Sequence, residues 1–310
     1  MTCEKLVLVT RATRLEGLLE RFPTRAQARF WLEREGRDYS AYEAEHGDYH
    51  RALDGLRQAL DFGLPVQTVE RSLVPSFTFL DSDLVVTAGP DGLVANTAKY
   101  VGGRPIVAVN PDPTRIDGIL LPFSLRAARP AAARVMEGRA RLREVTMAGA
   151  RSSDGQRLLA FNDLFIGARS HVSARYSLSW GGRRERQCSS GVLVSTGAGS
   201  TGWLSSVFNM TAAMTRAFGG TPPPPVRLGW EDPRLVFAVR EPFASKESGV
   251  SLGAGLLEPG TELGLESLMP SGGAVFSDGV EADFLAFDSG TVLRVSAAEE
   301  RARLVVPDPA

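Results

Sequence analysis

Residues 84–94 read LVVTAGPDGLV: an apolar run, a Gly-Pro-Asp-Gly turn, and the start of a segment with helical spacing. An unbroken apolar run of this kind is typical of a strand that is buried on both faces of a parallel sheet. The segment from Asp91 to Val101 is predicted to be a helix. A strand that passes through a turn into a helix is the repeating unit of an α/β domain.

The same alternation of apolar runs and helical segments extends over the first 120 or so residues of the chain. Apolar runs predict further strands at LVLVT (6–10), VQTVE (66–70) and PIVAVN (105–110), and amphipathic spacing predicts helices over residues 14–37 and 49–62. We therefore expect a mostly parallel sheet covered by helices over residues 1–123.

After Pro122 the sequence pattern changes to short strand-like runs separated by Gly, Ser and Asp. This pattern predicts a mainly β domain over residues 124–310. One helix is predicted inside it, from Gly199 to about Phe218, because apolar residues recur there at helical spacing. The arginine-rich run from Arg126 to Arg143 is interpreted as a solvated strand edge and linker.

Composition excludes several classes of protein. Of 310 residues, 43% are hydrophobic and 23% are charged, as in ordinary globular proteins. The formal net charge of -1 argues against a protein held on nucleic acid or on an anionic membrane by bulk electrostatics. No apolar stretch approaches the ~20 residues of a transmembrane helix, and the two cysteines form no CxxC pair. We expect a cytoplasmic protein.

Two glycine-rich loops each follow an apolar strand and open a helix: Gly89-Pro90-Asp91-Gly92, and Gly197 to Trp203, which reads GAGSTGW. Glycines and helix N-termini suit phosphate groups. Neither loop is a P-loop or a GxGxxG fingerprint. Pro-Asp-Gly is also a common β-turn, so on its own the first loop favours a turn.

The sequence contains three further groups of polar residues that could form a site. Asn162 and Asp163 interrupt the strand-like run LLAFNDLFIG, either as buried polar residues or as a bulge. His46 and His50 stand four apart, as in zinc-binding helices, but the glutamate of HExxH is missing and Gly47 weakens the helix. We therefore assign no metal ligands. His171 is interpreted as a surface residue.

Several motifs together resemble the NAD kinase family, in the family's order and over most of the chain. They are GPDG (89–92), VNPDP (109–113), FND (161–163), SSGVLVSTGAGSTGW (189–203) and FSDG (276–279). Ser189-Ser190-Gly191 and Arg240-Glu241-Pro242 are similar to the mitochondrial-type branch. The resemblance implies a Rossmann-like α/β domain followed by a β-sandwich-like domain.

The resemblance also implies an activity: phosphorylation of the 2′-hydroxyl of the adenosine ribose of NAD by ATP or polyphosphate, with Mg²⁺. Asp91 would orient or deprotonate that hydroxyl. Residues that would bind nucleotide are Gly89, Gly92, Asn162, Asp163, Gly199, Ser200, Thr201 and Trp203. Family members are usually oligomeric, so we expect a homodimer.

This sequence departs from the family's GGDGT loop, which here reads GPDGL. Pro90 has no N–H and Leu93 has no hydroxyl. A lost hydrogen bond to a charged phosphate is worth ~1.5–3 kcal/mol. Two alternatives therefore stand beside the kinase: a weak or silent NAD(P)-binding protein, and a related kinase that acts on a lipid.

Overall fold

The computed structural model describes residues 3–308, which fold into two units. The first unit comprises the residues up to Arg143 together with those from Arg303 onward, and the second comprises Glu144–Ala302. The change in composition predicted a boundary after residue 123, whereas the observed division follows the helix at Leu125–Met136.

Four parallel strands form the centre of the first unit. They are β1 (Lys5–Thr10), β2 (Val66–Glu70), β3 (Asp83–Ala88) and β4 (Pro105–Val109). Their order is β2-β1-β3-β4. β1 and β3 are buried over almost their whole length, as their apolar sequences predict for central strands.

Five helices belong to the first unit: α1 (Arg14–Arg21), α2 (Arg25–Arg34), α3 (Tyr39–Ala59), α4 (Asp91–Ala98) and α5 (Leu125–Met136). The single helix predicted over residues 14–37 is two helices. The chain breaks around Pro23, and Thr24 then caps α2 by accepting the N–H of Gln27. α3 begins well before the predicted start at Tyr49, because Asp38 caps it.

The prediction of a strand edge and linker at the arginine-rich run was wrong for its first half, which is helix α5. The residues that α5 buries are Ala128, Ala131, Ala132 and Val135, at helical spacing. Alanines are only weakly hydrophobic, and Pro130 lies within the helix. The helical spacing of the buried residues is therefore hard to recognise in a segment that also contains several arginines.

The second unit contains two antiparallel sheets. Its strands are β5 (Leu142–Ser152), β6 (Arg157–Ala160), β7 (Asp163–Ala168), β8 (Ala174–Trp180), β9 (Arg183–Ser189), β10 (Gly191–Ser195), β11 (Leu235–Arg240), β12 (Ala254–Leu257), β13 (Leu263–Ser267), β14 (Gly273–Ser277), β15 (Val280–Ala286) and β16 (Val292–Val305). One sheet has the order β12-β11-β10-β7-β14-β15. The other contains β16-β13-β8-β9, with β5 beside β16 and β6 beside β5.

Alternate residues of both sheets meet in one core. Leu164, Ile166 and Val194 come from the first sheet, and Tyr176 and Leu178 come from the second; all are fully buried. This is the arrangement of a β-sandwich. The prediction of an α/β domain followed by a β-rich domain is confirmed.

Helix α6 (Trp203–Ala217) covers the outer face of the six-stranded sheet, within the predicted helical segment. Only Leu204 of this helix is buried, and it packs with Leu193 of β10. Met210 and Met214, which keep the predicted spacing, are exposed. Within residues 3–308, the helices are all too short or too polar to cross a membrane.

Asp278 anchors the segment that leads into β7. Its carboxylate accepts three backbone N–H groups: that of Phe161 at 2.9 Å, that of Asn162 at 2.6 Å and that of Asp163 at 3.2 Å. Asp278 has a φ of 52°, a conformation that Asp and Asn tolerate better than other side chains. The turn between β14 and β15 thereby fixes the start of β7.

We expect Asp278→Ala to lower the free energy of unfolding by about 2–4 kcal/mol, because buried N–H groups lose their acceptor and Ala is strained at this φ. Urea denaturation of the purified chain measures this loss. Asp278→Asn is the matched control. It keeps an Oδ1 acceptor for two of the three amides and should cost clearly less. Equal losses for the two variants would contradict the anchoring role.

Candidate functional site

In the first unit, the Gly89-Pro90-Asp91-Gly92 loop joins the carboxyl end of β3 to α4. Pro90 is the N-cap of α4, with a φ of −74° that suits a proline ring. Gly89 is buried, and a Cβ there would lie 2.7 Å from Cδ2 of Leu93. Leu93 is fully buried, so this departure from GGDGT is a packing residue.

Asp91 opens α4 and is half-buried. Its Oδ1 accepts the backbone N–H of Leu120 at 2.6 Å. Among the residues that the structure describes, no hydrogen bond or ion pair engages the other oxygen, Oδ2. That oxygen can accept a hydroxyl proton from a ligand.

The first turn of α4 also offers backbone donors. The N–H of Leu93 bonds to the carbonyl of Pro90 at 2.8 Å. The N–H groups of Asp91 and Gly92 precede any intrahelical partner and lie at the positive end of the helix dipole. Pro90 itself supplies no N–H, so this loop has one donor fewer than a Gly-Gly-Asp-Gly loop.

Loop residues 110–123 are folded by Asn110, the asparagine of the VNPDP motif. Asn110 is buried; its Nδ2 donates to the carbonyl of Ile116 at 3.0 Å, and its Oδ1 accepts the N–H of Asp112 at 3.0 Å. Since the same loop carries Leu120 to Asp91, Asn110 helps to position the Asp91 carboxylate. Its role here is structural.

Beside this loop, the first unit has a cavity of about 450 Å³. It is lined by Arg11, Arg14, Glu45, Tyr49, Pro90, Asp112, Arg115 and Ile116. Arg11 follows β1, Pro90 follows β3 and Asp112 follows β4. Ligands of open α/β sheets bind at these carboxyl ends of strands.

Tyr49 joins the ends of two strands beneath the cavity. Its hydroxyl donates to the carbonyl of Ala88 at 2.7 Å and accepts the N–H of Arg11 at 3.1 Å. Burial raises the pKa of Tyr49 to about 12, so it remains a neutral donor. The guanidinium of Arg11 lies 4.6 Å from the centre of the Tyr49 ring.

The arginines of the cavity are paired with carboxylates. Arg11 lies 2.6 Å from Glu45, and Arg115 lies 2.9 Å from Asp48 and also contacts Asp112. Burial opposes ionisation of Asp112, but hydrogen bonds from Thr114 and Arg115 outweigh it and lower the pKa of Asp112. The guanidiniums are held in place and can exchange carboxylate oxygens for phosphate oxygens.

In the second unit, Asp163 is the first residue of β7, and its carboxylate lies in an unfavourable, buried environment. Its Oδ1 is buried without a hydrogen-bond partner. Burial and then the charge of Asp278 raise the pKa of Asp163 to about 7, against a hydrogen bond with Ser195. An unsatisfied oxygen of this kind suits a ligand hydroxyl as donor.

Aromatic rings stack beside Asp163. Phe165 lies two residues along β7, and its ring is 5.5 Å from that of Trp203 at an interplanar angle of 18°. On the other side, Phe276 of β14 is 6.4 Å away at 13°. The guanidinium of Arg240 is 5.2 Å from the Trp203 ring centre. Flat aromatic faces of this kind bind a nucleobase by stacking.

Asp163 and the three aromatic residues line a cavity of about 320 Å³ in the second unit. Its lining comprises Asp163, Phe165, Ala168, Arg169, Trp203, Phe276, Asp278, Gly279 and Glu281. Aromatic faces next to carboxylates match the two halves of an adenosine, since the base stacks and the ribose donates hydroxyl hydrogen bonds.

The glycine loop before α6 packs against protein. A Cβ on Gly197 would lie 1.8 Å from the carbonyl oxygen of Gly229, and one on Gly199 would lie 2.2 Å from that of Asn162. Ser200 is buried and donates to the carbonyl of Gly197 at 2.7 Å. These contacts explain Gly199 and Ser200 without a ligand, while Thr201 and Trp203 are exposed.

The predicted site residues thus form two groups, one in each unit. Gly89, Asp91 and Gly92 share one loop of the first unit. Asp163 and Trp203 share one cavity of the second, and Asn162 adjoins it through its backbone. Residues that the sequence did not single out are Arg11, Arg14, Arg115, Phe165 and Phe276. Arg240 and Asp278 stood within recognised motifs but had been given no role.

Solved structures similar to this chain include two kinases. The first is the yeast NADH kinase in complex with NADH, with a TM-score of 0.57 and 16% identity, covering 98% of this chain and 84% of that one. The second is an NAD kinase from Archaeoglobus fulgidus in complex with ATP, with a TM-score of 0.52 and 17% identity, covering 97% of this chain and 93% of that one.

No family model matches the sequence, and no curated protein does. At 16–17% identity the likeness to the solved structures concerns the fold. Over almost its whole length, this chain has the fold of NAD kinases.

Proposed function

We propose that the protein is an NAD kinase, which transfers the γ-phosphoryl group of ATP to the 2′-hydroxyl of the adenosine ribose of NAD and so forms NADP. The observation that carries the proposal is the cavity of the second unit, where a stacked Trp203–Phe165 pair lies beside the unpartnered oxygen of Asp163. It offers a face for adenine and an acceptor for a ribose hydroxyl. The two similar structures were solved with NADH and with ATP.

In this proposal Asp91 acts on the reacting hydroxyl. Its Oδ2 takes the hydroxyl proton as the hydroxyl oxygen bonds to the γ-phosphorus, while the N–H of Leu120 holds its Oδ1. The bond from the γ-phosphorus to the β,γ-bridging oxygen breaks, and ADP leaves. Arg11, Arg14 and Arg115 bind phosphate oxygens of the donor, and the first-turn amides of α4 add backbone donors. Phosphoryl transfer depends mainly on such positioning and charge stabilisation.

Mg²⁺ fits the donor set of the first unit. It is usually held by one or two carboxylates together with substrate phosphates, and the ionised Asp112 lines the arginine cavity. Bound there with ATP, Mg²⁺ would neutralise charge on the phosphates. The same arginines suit inorganic polyphosphate as donor.

Pro90 favours a second candidate function, that of an NAD(P)-binding protein with weak or no kinase activity. The missing N–H removes one phosphate donor, whereas the adenosine cavity does not involve this loop. Binding of NAD without turnover would support this candidate. A lipid substrate has less support, since charged side chains line both cavities.

We also propose a branch of the family and an oligomeric state for the protein. Ser190 and the Arg240-Glu241-Pro242 segment support the mitochondrial-type branch. The exposed apolar side chains of Met210 and Met214 on α6, and of Phe218 just after it, support a homodimer. The cytoplasmic location stays a prediction.

Asp91→Asn is expected to lower kcat for NADP formation about 100- to 10,000-fold, because the amide cannot take the proton. Asn retains an Oδ1 for the N–H of Leu120, so the loop should keep its shape. A coupled dehydrogenase assay with Mg-ATP and NAD measures the rate. The control is Asp54→Asn, an exposed carboxylate on α3. Undiminished turnover by Asp91→Asn would remove Asp91 from the mechanism.

Trp203→Ala should weaken NAD binding by about 5- to 150-fold, since stacking of one base on an aromatic ring is worth about 1–3 kcal/mol. Trp203→Phe keeps a flat ring and should retain most of the affinity. Met214→Ala, an exposed residue of the same helix, is the control. Isothermal titration calorimetry gives the dissociation constants. Equal affinity for Trp203→Ala and wild type would place adenine elsewhere.

Asp163 predicts a pH-dependent stability. Its folded-state pKa of about 7 lies above the unfolded value near 4, so between these pH values only the folded state keeps the proton. Stability from this group is therefore full below pH 4 and is lost as pH rises through 7. Asp163→Asn stays neutral throughout, so its stability relative to wild type should be greater at pH 8 than at pH 5.

The expected difference is of order 2–4 kcal/mol, which urea denaturation at the two pH values measures. Glu281→Gln changes an exposed carboxylate of the same cavity and should show no such difference. A pH-independent effect of Asp163→Asn would show that the carboxyl group is not held protonated in the fold.

A further inference from the structure

Helices α1 and α3 bring three metal-ligating side chains together in the first unit. Glu16 lies in the first turn of α1, and His46 and His50 lie one turn apart on α3. One ligand atom from each residue lies within 4.8 Å of the other two. The helix α3 continues through Gly47, which had argued against a helix at these histidines.

The distances within this cluster bracket those of a coordination sphere. Oε1 of Glu16 is 2.9 Å from Nε2 of His50 and 3.9 Å from Nδ1 of His46. Zinc takes histidine nitrogens and carboxylate oxygens at about 2.0–2.2 Å, which puts neighbouring ligand atoms of a tetrahedron about 3.3–3.5 Å apart. Small side-chain adjustments would bring the three atoms onto one ion.

Glu16 is already held in a ligating orientation. Its Oε2 accepts the backbone N–H of Thr13 at 2.6 Å, and the side chain of Thr13 accepts the N–H of Glu16 in return. This capping box leaves Oε1 facing the two histidines. The Thr13 hydroxyl lies 2.9 Å from Nδ1 of His46, the same nitrogen that faces Oε1 of Glu16, so a metal on this nitrogen would take the place of the Thr13 contact.

Neighbouring charges do not oppose a cation here. Arg11 and Arg14 are the nearby basic residues along the chain, and Glu45 pairs with both, at 2.6 Å and 3.5 Å. The side chains of His46, Glu16 and His50 are 22%, 36% and 44% exposed. Water can therefore reach the cluster and complete the coordination.

We propose that Glu16, His46 and His50 form a binding site for a divalent transition-metal ion, with zinc as the ion that suits it best. Two imidazole nitrogens and one carboxylate are a donor set for zinc and its neighbours, whereas Mg²⁺ prefers oxygen ligands throughout. The site is thus separate from any Mg²⁺ that accompanies ATP. The ion would tie α1 to α3 beside the arginine-lined cavity.

Zinc binding must change the tautomer of His50. The Glu16 carboxylate can only accept, so in the metal-free chain Nε2 of His50 carries the hydrogen of their 2.9 Å contact. Coordination through Nε2 needs the other neutral tautomer, in which the hydrogen stands on Nδ1, and the metal then takes the place of the hydrogen bond between His50 and Glu16. A purely structural role of the cluster, as a hydrogen-bonded link between two helices, needs no such change.

The test is titration of the EDTA-treated full chain with ZnCl₂ by calorimetry, and with CoCl₂ by visible absorption. We expect one Zn²⁺ per chain and a Co²⁺ spectrum without a thiolate charge-transfer band. Thermal unfolding should shift upward with Zn²⁺.

Glu16→Gln and His46→Ala should each weaken Zn²⁺ binding at least tenfold and abolish the Zn²⁺-dependent shift in unfolding temperature. Gln at this position keeps the capping box, so Glu16→Gln separates loss of a ligand from loss of the helix cap. The control is His171→Ala, because His171 is the third histidine and is exposed in the other unit. Binding that survives Glu16→Gln and His46→Ala, or that His171→Ala removes, would overturn the proposal, as would absence of binding to wild type.

Discussion

The hydrogen bonds that Asp278 accepts from the backbone of residues 161–163 organise the second unit around its cavity. They hold the chain just before β7 in a form in which Thr196 can bond to the carbonyl of Asn162. Gly199 then packs against that same carbonyl, and only glycine leaves room for it. The position of Trp203, which follows this loop, is therefore set by a carboxylate on a distant hairpin.

The same arrangement places two carboxylates side by side. Three backbone amides donate to Asp278, whereas burial and then the charge of Asp278 raise the pKa of Asp163 to about 7. A fold that keeps an unsatisfied carboxyl group sacrifices stability for it. In the proposed function, a ribose hydroxyl that donates to this group would remove the penalty, and the unsatisfied carboxyl group would then favour the nucleotide-bound state.

Much of this could be predicted from the sequence. The parallel strands of the first unit were evident because apolar runs between turn residues are a strong signal, and Asp91, Asp163 and Trp203 stood out through motif order. Helix α5 was missed because alanines bury little surface, and the arginine cavity because Arg11, Arg14 and Arg115 come from separate segments. Likewise Glu16 could not be paired with the histidines of α3 from spacing along one helix.

The two departures from GGDGT have different physical consequences. Leu93 is fully buried against Gly89, so exchanging it for a hydroxyl residue would open a hole in the core rather than restore a phosphate contact. Pro90 caps α4 without strain and leaves the amides of Asp91 and Gly92 in place. In the proposed kinase its missing N–H would be one donor among several, since the guanidiniums and the helix dipole would act on the same phosphates. In that proposal the loop would bind phosphate more weakly by about the worth of one hydrogen bond, roughly 1.5–3 kcal/mol, while its carboxylate keeps its position.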